Sequence, residues 1–401
     1  MNPSDPIAAL EIGTTRTVIA IGEPLGGGRV KVAAVSHIPS SGVRKSQVVD
    51  VAQARYSIES VLKRLADQSD YSIGQAYLAV SGPQIRTKMV LAQCPVDGGI
   101  VRDEELLEID SRSYETGLSP DRYPIELSQI NYRLDDVDRI ASPKGMSGRL
   151  LSLHSLCIHG SAQRIADARS AARDAKLEFP DIAFAGTCAA AAVLSAQNKR
   201  DGALVIDLGG GSTSYTAWTD DHLVQAGVVG VGGDHITNDI RIAFSVSLAQ
   251  AEQLKTSSAS ATISPEDASL RISVPDPMPG FKAASISRRA LNTVVNARLQ
   301  ELFAIIRAKM DEEDLLHRLN SGVVLTGGGA AMPGIVELAT AVFGCGVRIG
   351  RLVPEIEGLE NDPHPESLAV LSGLLLLAQT QHAPAPSFLD ALKKFFGLSR
   401  K

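Results

Sequence analysis

The chain has 401 residues, of which 44% are hydrophobic and 21% are charged, and its formal net charge at pH 7 is −6. This length suffices for two lobes with separate cores, and the negative charge provides no basic field for nucleic acid. The four cysteines form no C-x-x-C pair, which argues against a zinc site and a disulfide framework. No basic segment followed by an apolar core opens the chain, so we expect no signal peptide.

The first predicted element is a hairpin over residues 8–23. An apolar strand carries the acid Glu11, a short turn contains Gly13, Thr14 and Thr15, and a second apolar strand follows. Because glycine has no Cβ, the backbone amides of such a turn can crowd around an anion. The hairpin is therefore a candidate phosphate site.

Alternating strand and helix patterns continue to residue 82, with an amphipathic helix predicted over 52–65 and a strand over 76–80. This alternation is typical of an α/β lobe. Residues 83–160 interrupt it. They contain an acidic helix candidate at 102–116 and a returning strand at 150–159.

A second hairpin of the same design spans residues 202–218. An apolar run ends in Asp207, and a β-like run begins after the turn of Gly209, Gly210, Gly211, Ser212 and Thr213. An aspartate at a strand end can hold Mg²⁺ through its waters. From the hairpin alone, an ordinary glycine-rich turn and a phosphate site stay equally open. The repeat of one design about 200 residues apart favours a duplicated fold that binds one triphosphate between its halves.

Two later helices carry charged pairs at i,i+3 spacing. Glu252 and Lys255 lie on a helix predicted to start near residue 248, and Arg298 and Glu301 lie on the helix predicted over 287–309. Spacing alone favours ordinary surface ion pairs for both. The Ser-, Ala- and Pro-rich stretch between the two helices predicts a loop with one strand.

A third glycine-rich element spans residues 322–335, where a strand precedes Gly327, Gly328 and Gly329 and a helix is predicted to follow. A glycine turn that leads into a helix N-terminus suits a nucleotide. None of the three elements matches the G-x-x-x-x-G-K-[ST] or dinucleotide patterns. Downstream, the eleven-residue apolar run 368–378 is too short to span a bilayer and predicts a buried helix.

The last residues predict a linker over 381–386 and a short helix over 387–401. On that helix, one face is apolar and consists of Phe388, Leu389, Leu392, Phe395 and Phe396. The lysines Lys393 and Lys394 lie off this face. The composition is typical of an anchor that lies in a membrane interface. The alternative is a terminal helix docked on the protein's own core. A single anchor of this kind binds weakly, so stable attachment needs several together, as in a polymer.

In this order and spacing, the two hairpins and the GGG loop resemble the actin superfamily, and the details resemble its bacterial cell-division family FtsA. The supporting segments are LEIGT at 10–14, PKGMSGRLLSLHSLCIHG at 143–160, FAGTCAAAAVLS at 184–195, VGGDHITNDI at 231–240, AEQLK at 251–255, NARLQEL at 296–302, VVLTGGGAAMPGI at 323–335 and VRIG at 347–350. The resemblance implies a two-lobed α/β fold with duplicated sheet-and-helix lobes around a nucleotide cleft, an FtsA-type IC subdomain and a C-terminal amphipathic helix.

The resemblance also implies a subdomain for each part of the chain. The expected order is IA at 1–82, IC at 83–160, IA at 161–200, IIA at 201–231, IIB at 232–317, IIA at 318–358, IA at 359–380, the linker at 381–386 and the membrane-targeting helix at 387–401.

The resemblance further implies that ATP and Mg²⁺ bind in the cleft. Asp207 would order the Mg²⁺ and its waters, the two hairpin turns would donate to the phosphates, and Gly327, Gly328 and Gly329 would pack against adenine or the α-phosphate. Glu252 and Lys255 would reach the ribose, and Gly232, Gly233 and Asp234 would close the site. Glu11 and Ser214 stand where the family often has aspartate, so we expect very slow ATP hydrolysis at most.

By the same resemblance, Arg298 and Glu301 would bind the C-terminal tail of the tubulin-like protein FtsZ. The expected function is a polymer that tethers FtsZ filaments to the cytoplasmic face of the inner membrane at the division site, with other divisome proteins as partners and no nucleic acid. The first alternative is an FtsA-like cytoplasmic adaptor of a pilus assembly machine, which would not need the C-terminal helix. A sugar kinase of the same superfamily is the second, but no catalytic base for it is evident.

Overall fold

A computed structural model describes residues 5–274 and 285–381 of the chain. Its strands, in chain order, are β1 (Ile7–Ile12), β2 (Arg16–Gly26), β3 (Arg29–Pro39), β4 (Val43–Arg44), β5 (Gln47–Val48), β6 (Tyr77–Val80), β7 (Arg86–Pro95), β8 (Arg122–Leu134), β9 (Val137–Ile140), β10 (Leu150–Ser161), β11 (Ile182–Phe184), β12 (Ala203–Leu208), β13 (Thr213–Thr219), β14 (His222–Val229), β15 (Arg271–Ser273), β16 (Ser285–Ser287), β17 (Val323–Thr326), β18 (Val347–Ile349) and β19 (Ile356–Glu357).

The α-helices of the same residues are α1 (Val51–Gln68), α2 (Asp103–Ser113), α3 (Ala162–Asp174), α4 (Ala185–Val193), α5 (Ala196–Asp201), α6 (Gly233–Phe244), α7 (Leu248–Ser258), α8 (Arg288–Glu312), α9 (Ile335–Phe343) and α10 (Ala369–Gln381). Short 3-10 turns precede α9 and α10 and join several loops. Each helix and strand predicted from the sequence up to residue 378 has a counterpart in these lists.

Two sheets of the same local topology form the two lobes. The first has the strand order β11-β6-β1-β2-β3-β19, and the second has the order β14-β13-β12-β17-β18. In each, three antiparallel strands lie beside two parallel ones, so that β1, β2, β3, β6 and β11 correspond to β12, β13, β14, β17 and β18. This correspondence confirms the duplicated α/β lobes predicted from the two hairpins.

The sheets and helices alternate in layers. Helices α1 and α3 cover the outer face of the first sheet, and α6, α7, α8 and α9 cover that of the second. Helices α4 and α10 lie between the two sheets and share one core with both, since Ala9 of β1 and Val205 of β12 pack in the same cluster. Close packing of α4 and α10 depends on Gly373, where a Cβ would collide with the Cys188 carbonyl.

Residues 83–160 form a separate four-stranded antiparallel sheet with the order β7-β10-β8-β9, inserted between β6 and β11 of the first lobe. Helix α2 covers it and closes a small core of its own. Strand β8 ties this sheet to the first lobe, because the Glu126 carboxylate accepts hydrogen bonds from Phe184 N (2.7 Å) and Thr187 Oγ1 (2.7 Å) at the start of α4. Burial raises the pKa of Glu126 to about 7.

The structure corrects two of the expected boundaries. Strand β19 pairs with β3 in the first sheet, so the chain returns to the first lobe before residue 358. Helix α10 extends to Gln381, one residue into the predicted linker. The rest of that linker and the predicted helix 387–401 lie outside the described residues. Across residues 5–274 and 285–381, no helix has the length and apolarity required to cross a membrane.

Candidate functional site

The two hairpin turns have the same backbone geometry at equivalent positions of the duplicated sheets. Gly13 N donates to Arg16 O at 3.1 Å, and Gly209 N donates to Ser212 O at 3.1 Å. A Cβ at Gly13 or Gly209 would lie 2.8 or 2.7 Å from that carbonyl oxygen, closer than real Cβ contacts allow. Glycine is therefore required at both positions by the turn itself.

The turns face each other across the gap between the lobes. A Cβ on Gly210 would collide with the Thr15 hydroxyl, and one on Gly211 would collide with the Thr14 hydroxyl. The start of α6 also binds the second turn, since Asp234 N donates to Gly210 O at 2.8 Å. The carbonyls of this turn are thus bonded on the α6 side.

Two carboxylates lie at the strand ends below these turns. Asp207 is 9% exposed, and its pKa is raised to about 7 by burial and then by the nearby charge of Glu11. Burial also raises the pKa of Glu11, and Arg16 lowers both values in part. The Arg16 guanidinium is held by Ser367 O (2.8 Å) and Ser367 Oγ (3.2 Å). Because the carboxyls of Glu11 and Asp207 converge and the Arg16 guanidinium offsets their charge only in part, the site favours an additional cation.

We expect Asp207→Asn to stabilise the ligand-free protein at pH 8. A carboxyl with a raised folded-state pKa costs the fold nothing while it is protonated in both the folded and the unfolded state. Its cost grows from about pH 4, where the unfolded chain ionises, to about pH 7, where the folded protein does. The gain should therefore be at most about 2 kcal/mol at pH 5 and rise to at most about 4 kcal/mol at pH 8. Thermal unfolding at both pH values measures it, with the exposed Asp136→Asn as control. An equal gain at both pH values would contradict the buried-charge explanation.

The third glycine element closes the cavity beside Asp207. Gly327 has a φ of 82° and leaves no room for a side chain next to Asp207 Oδ1. Its backbone N donates to Glu366 O at 3.1 Å, as does Thr326 Oγ1 at 2.7 Å. At Gly328, by contrast, a Cβ would meet no atom within 4 Å. This glycine therefore borders open space.

A polar network of the second lobe also lines the cavity. Lys255 Nζ contacts Glu252 Oε2 at 2.6 Å and donates to Thr237 Oγ1 at 2.8 Å, and Thr237 Oγ1 donates to Glu252 Oε2 at 2.5 Å. The Lys255 side chain is only 12% exposed. Glu252 and Lys255 therefore do not form the ordinary surface ion pair that their spacing alone indicates, because their network is partly buried and faces the cavity.

Together these elements enclose a cavity of about 500 Å³, within the range of small-molecule sites. Of the residues predicted to bind nucleotide, those that line it are Gly13, Thr14, Thr15, Asp207, Gly209, Gly210, Ser212, Gly232, Gly233, Glu252, Lys255, Gly327, Gly328 and Gly329. Gly211, Thr213 and Asp234 do not. The Thr213 hydroxyl is buried and donates to Val231 O at 2.8 Å, so it is already used within the fold.

Several lining residues escaped the sequence analysis. Arg16, Ser46, Ser81 and Ser367 contribute polar groups, and the apolar side chains include those of Ile236, Leu299, Leu302, Met332 and Val370. Met332 lies three residues after the GGG element, within the quoted segment 323–335, and could have been included. Ser46 and Ser81 belong to no recognisable motif, and only the fold brings them to the site.

The donor set suits a hydrated cation better than a protein-only metal centre. In the described part of the chain, no group of three or more His, Cys, Asp or Glu side chains could hold a metal ion. Mg²⁺ normally takes one or two carboxylates and completes its shell with water and substrate phosphate. The pair of Glu11 and Asp207 below two glycine turns fits that arrangement.

The predicted partner-binding pair lies on α8, outside the cavity. Arg298 is 27% exposed, and its Nε and Nη2 contact Asp239 of α6 at 2.6 and 3.1 Å while its Nη1 contacts Glu301 at 2.5 Å. The Arg298 guanidinium is thus already paired with two carboxylates of its own chain. A peptide carboxylate would have to displace one of these two acids.

Comparison with known proteins agrees with this architecture. The family model "Cell division protein FtsA" matches residues 204–370. FtsA of Pseudomonas aeruginosa is 28% identical over 347 residues, which cover 86% of this chain and 82% of that protein. Among solved structures, a chain of the PilM-PilN type IV pilus biogenesis complex has a TM-score of 0.64 at 16% identity, covering 94% of this chain and 99% of that one. MreB5 of Spiroplasma citri, bound to ADP, has a TM-score of 0.56 at 14% identity and covers 96% and 100%.

The duplicated lobes, the facing glycine turns and these similarities define an actin-like fold, as the sequence predicts. Among proteins with this fold, the chain is similar in sequence to bacterial cell-division proteins FtsA along most of its length. The predicted resemblance is confirmed.

Proposed function

We propose that the chain binds Mg-ATP in the cavity between its lobes. The observation that carries the proposal is the convergence of two glycine turns, two acids and a third glycine element on one cavity. The amide of Gly210 and the hydroxyls of Thr14 and Ser212 can donate to phosphate oxygens. A bound Mg²⁺ would supply positive charge beside the phosphates, and Asp207 would orient its waters.

Adenosine binds at the other end of this cavity in the proposal. Lys255 and Glu252 offer a donor and an acceptor for ribose hydroxyls. Met332 and Ile236 offer apolar surface for the base, which a purine requires on at least one face. Gly328 leaves space at the same end.

The proposal includes very slow hydrolysis. Glu11 and Asp207 are both assigned to the cation, and the hydroxyls of Ser214 and Ser81 bond to each other at 2.9 Å. A serine hydroxyl is a poor general base, and the loss of general-base help slows a reaction about 10²–10⁴-fold. The nucleotide then acts mainly in assembly.

We further propose an FtsA-type role in cell division: a membrane-bound polymer that tethers FtsZ filaments. The FtsA relatives support the cell-division role. Membrane attachment rests on residues 387–401, whose apolar face and lysines are a property of the sequence. A pilus adaptor is less well supported, because the PilM chain shares the fold at only 16% identity.

One vesicle experiment tests the tethering function. The full chain with Mg-ATP should float with anionic vesicles and bring FtsZ with it. Arg298→Gln should still float but should bind the FtsZ tail peptide at least about tenfold more weakly, because a charge-assisted contact is lost. Asp239→Asn should bind the FtsZ tail peptide more tightly than the wild type, since this change removes one of the two carboxylates that pair with the Arg298 guanidinium.

The control is Arg289→Gln, which changes an exposed arginine on the same helix. It should alter neither flotation with vesicles nor the affinity for the FtsZ tail peptide. Charge reversal at Arg298 is a poorer probe, because it would place three carboxylates together between α6 and α8. Equal peptide affinities for the wild type, Arg298→Gln and Asp239→Asn would rule out this binding site. A wild-type chain that floats without recruiting FtsZ would refute the tethering function.

A further inference from the structure

A small hairpin between β3 and α1 crosses the phosphate end of the cavity. Its strands β4 and β5 pair Arg44 with Gln47, which leaves Lys45 and Ser46 as a two-residue turn. We call residues 43–48 the strap. Gly42 fixes its base, because Val49 N donates to Gly42 O at 2.8 Å.

Both residues of the strap's turn have left-handed backbones. Lys45 has a φ of 51° and Ser46 a φ of 57°. A two-residue turn of this type strongly prefers Asn-Gly or Asp-Gly, because other side chains are strained there. A strained turn without glycine or asparagine persists only when its surroundings hold it, and such strain concentrates at functional sites.

The surroundings that hold it are the two hairpin turns of the cavity. Ser46 N donates to Thr14 Oγ1 at 2.7 Å in the first lobe, and Ser46 Oγ bonds to Ser212 Oγ at 2.9 Å in the second. Ser46 lines the cavity, whereas Lys45 does not. The Cα of Lys45 packs behind Gly211 instead. One serine thus bridges both turns through a backbone donor and a hydroxyl.

We propose that Ser46 recognises the terminal phosphate of a bound nucleoside triphosphate and that the strap distinguishes the triphosphate from the diphosphate. This inference rests on the proposed nucleotide site. In the proposed site the phosphates lie between the turns that carry Thr14 and Ser212, and Ser46 is bonded to both of these residues. The Ser46 hydroxyl, which bonds to Ser212 Oγ, can turn to donate to that phosphate, while the Ser46 backbone N keeps its bond to Thr14.

The strap also contacts the segment that leads into the four-stranded sheet. The Gln47 side-chain amide donates to Gln84 Oε1, and Gln84 Nε2 donates to Ser81 O at 3.0 Å. Strand β7 begins two residues after Gln84. A change in the bonds of Ser46 therefore has a direct physical connection to the inserted sheet.

The test is calorimetric titration of ATP and of ADP, each with Mg²⁺, into the full chain and three variants. Ser46→Ala and Ser46→Gly should weaken ATP binding about 10- to 100-fold, as loss of a hydrogen bond to a charged group does. ADP binding should change less than about threefold. The matched control is Lys45→Gly, which relieves the same kind of backbone strain but removes nothing from the cavity.

Both glycine variants should change the melting temperature of the ligand-free protein by similar amounts, which separates strain from recognition. Equal losses of ATP and ADP affinity in the Ser46 variants would overturn the inference. So would a loss of ATP preference in Lys45→Gly as large as that in Ser46→Gly. A wild-type chain that binds neither nucleotide would instead refute the proposed nucleotide site itself.

Discussion

Gly328→Val is expected to abolish ATP binding while leaving the fold intact. A Cβ at residue 328 would meet no protein atom within 4 Å, and the residue lines the cavity, where we propose that adenosine binds. The added side chain would therefore occupy ligand space without disturbing the protein's own packing. Calorimetry with Mg-ATP should show an affinity loss of at least about 100-fold, as overfilling a close-fitting site by several atoms costs a few kcal/mol.

Gly346→Val is the matched control. Residue 346 also has open space around a Cβ and lies outside the cavity, so this variant should bind ATP like the wild type. Gly210→Val is less informative, because its side chain would collide with Thr15 before any nucleotide entered. Unchanged affinity in Gly328→Val would show that adenosine does not bind at this end. A turnover above roughly 1 s⁻¹, the low end of ordinary enzymes, would contradict the slow hydrolysis proposed.

Replacing Phe395 and Phe396 with glutamate is expected to release the full chain from anionic vesicles at every salt concentration. Two buried phenylalanines contribute about 1.5–3 kcal/mol each, which exceeds the ~1 kcal/mol attraction of one lysine to anionic lipid. Lys393→Gln should therefore only weaken binding, and its effect should shrink as salt screens the charge. Vesicle flotation over a salt series measures both.

Two results would contradict the membrane-anchor proposal. Flotation of the double glutamate variant together with release of Lys393→Gln would mean that attachment is electrostatic. Unfolding of the chain on removal of residues 387–401 would mean that this segment belongs to the core. Circular dichroism of the truncated chain separates the second result from simple loss of binding.

The sequence by itself determined the secondary structure, the duplication and most of the cavity. The two hairpins are local, since Gly13 and Gly209 each close a turn with a residue three positions later. Turn chemistry and strand periodicity act over such short distances, so they can be read directly from neighbouring residues. The buried helix at 368–378 was equally evident from its composition.

Tertiary structure alone decided which polar groups meet across the lobes. Ser46 is 32 residues from Thr14 and 166 from Ser212, and nothing in a Lys-Ser dipeptide predicts a left-handed turn. The partners of Arg298 show the same limit: its spacing to Glu301 indicates a helix pair, but Asp239 comes from another helix 59 residues away. Local patterns fix the elements, whereas contacts between distant elements depend on how sheets and helices pack, and that packing determines which side chains are available for a ligand.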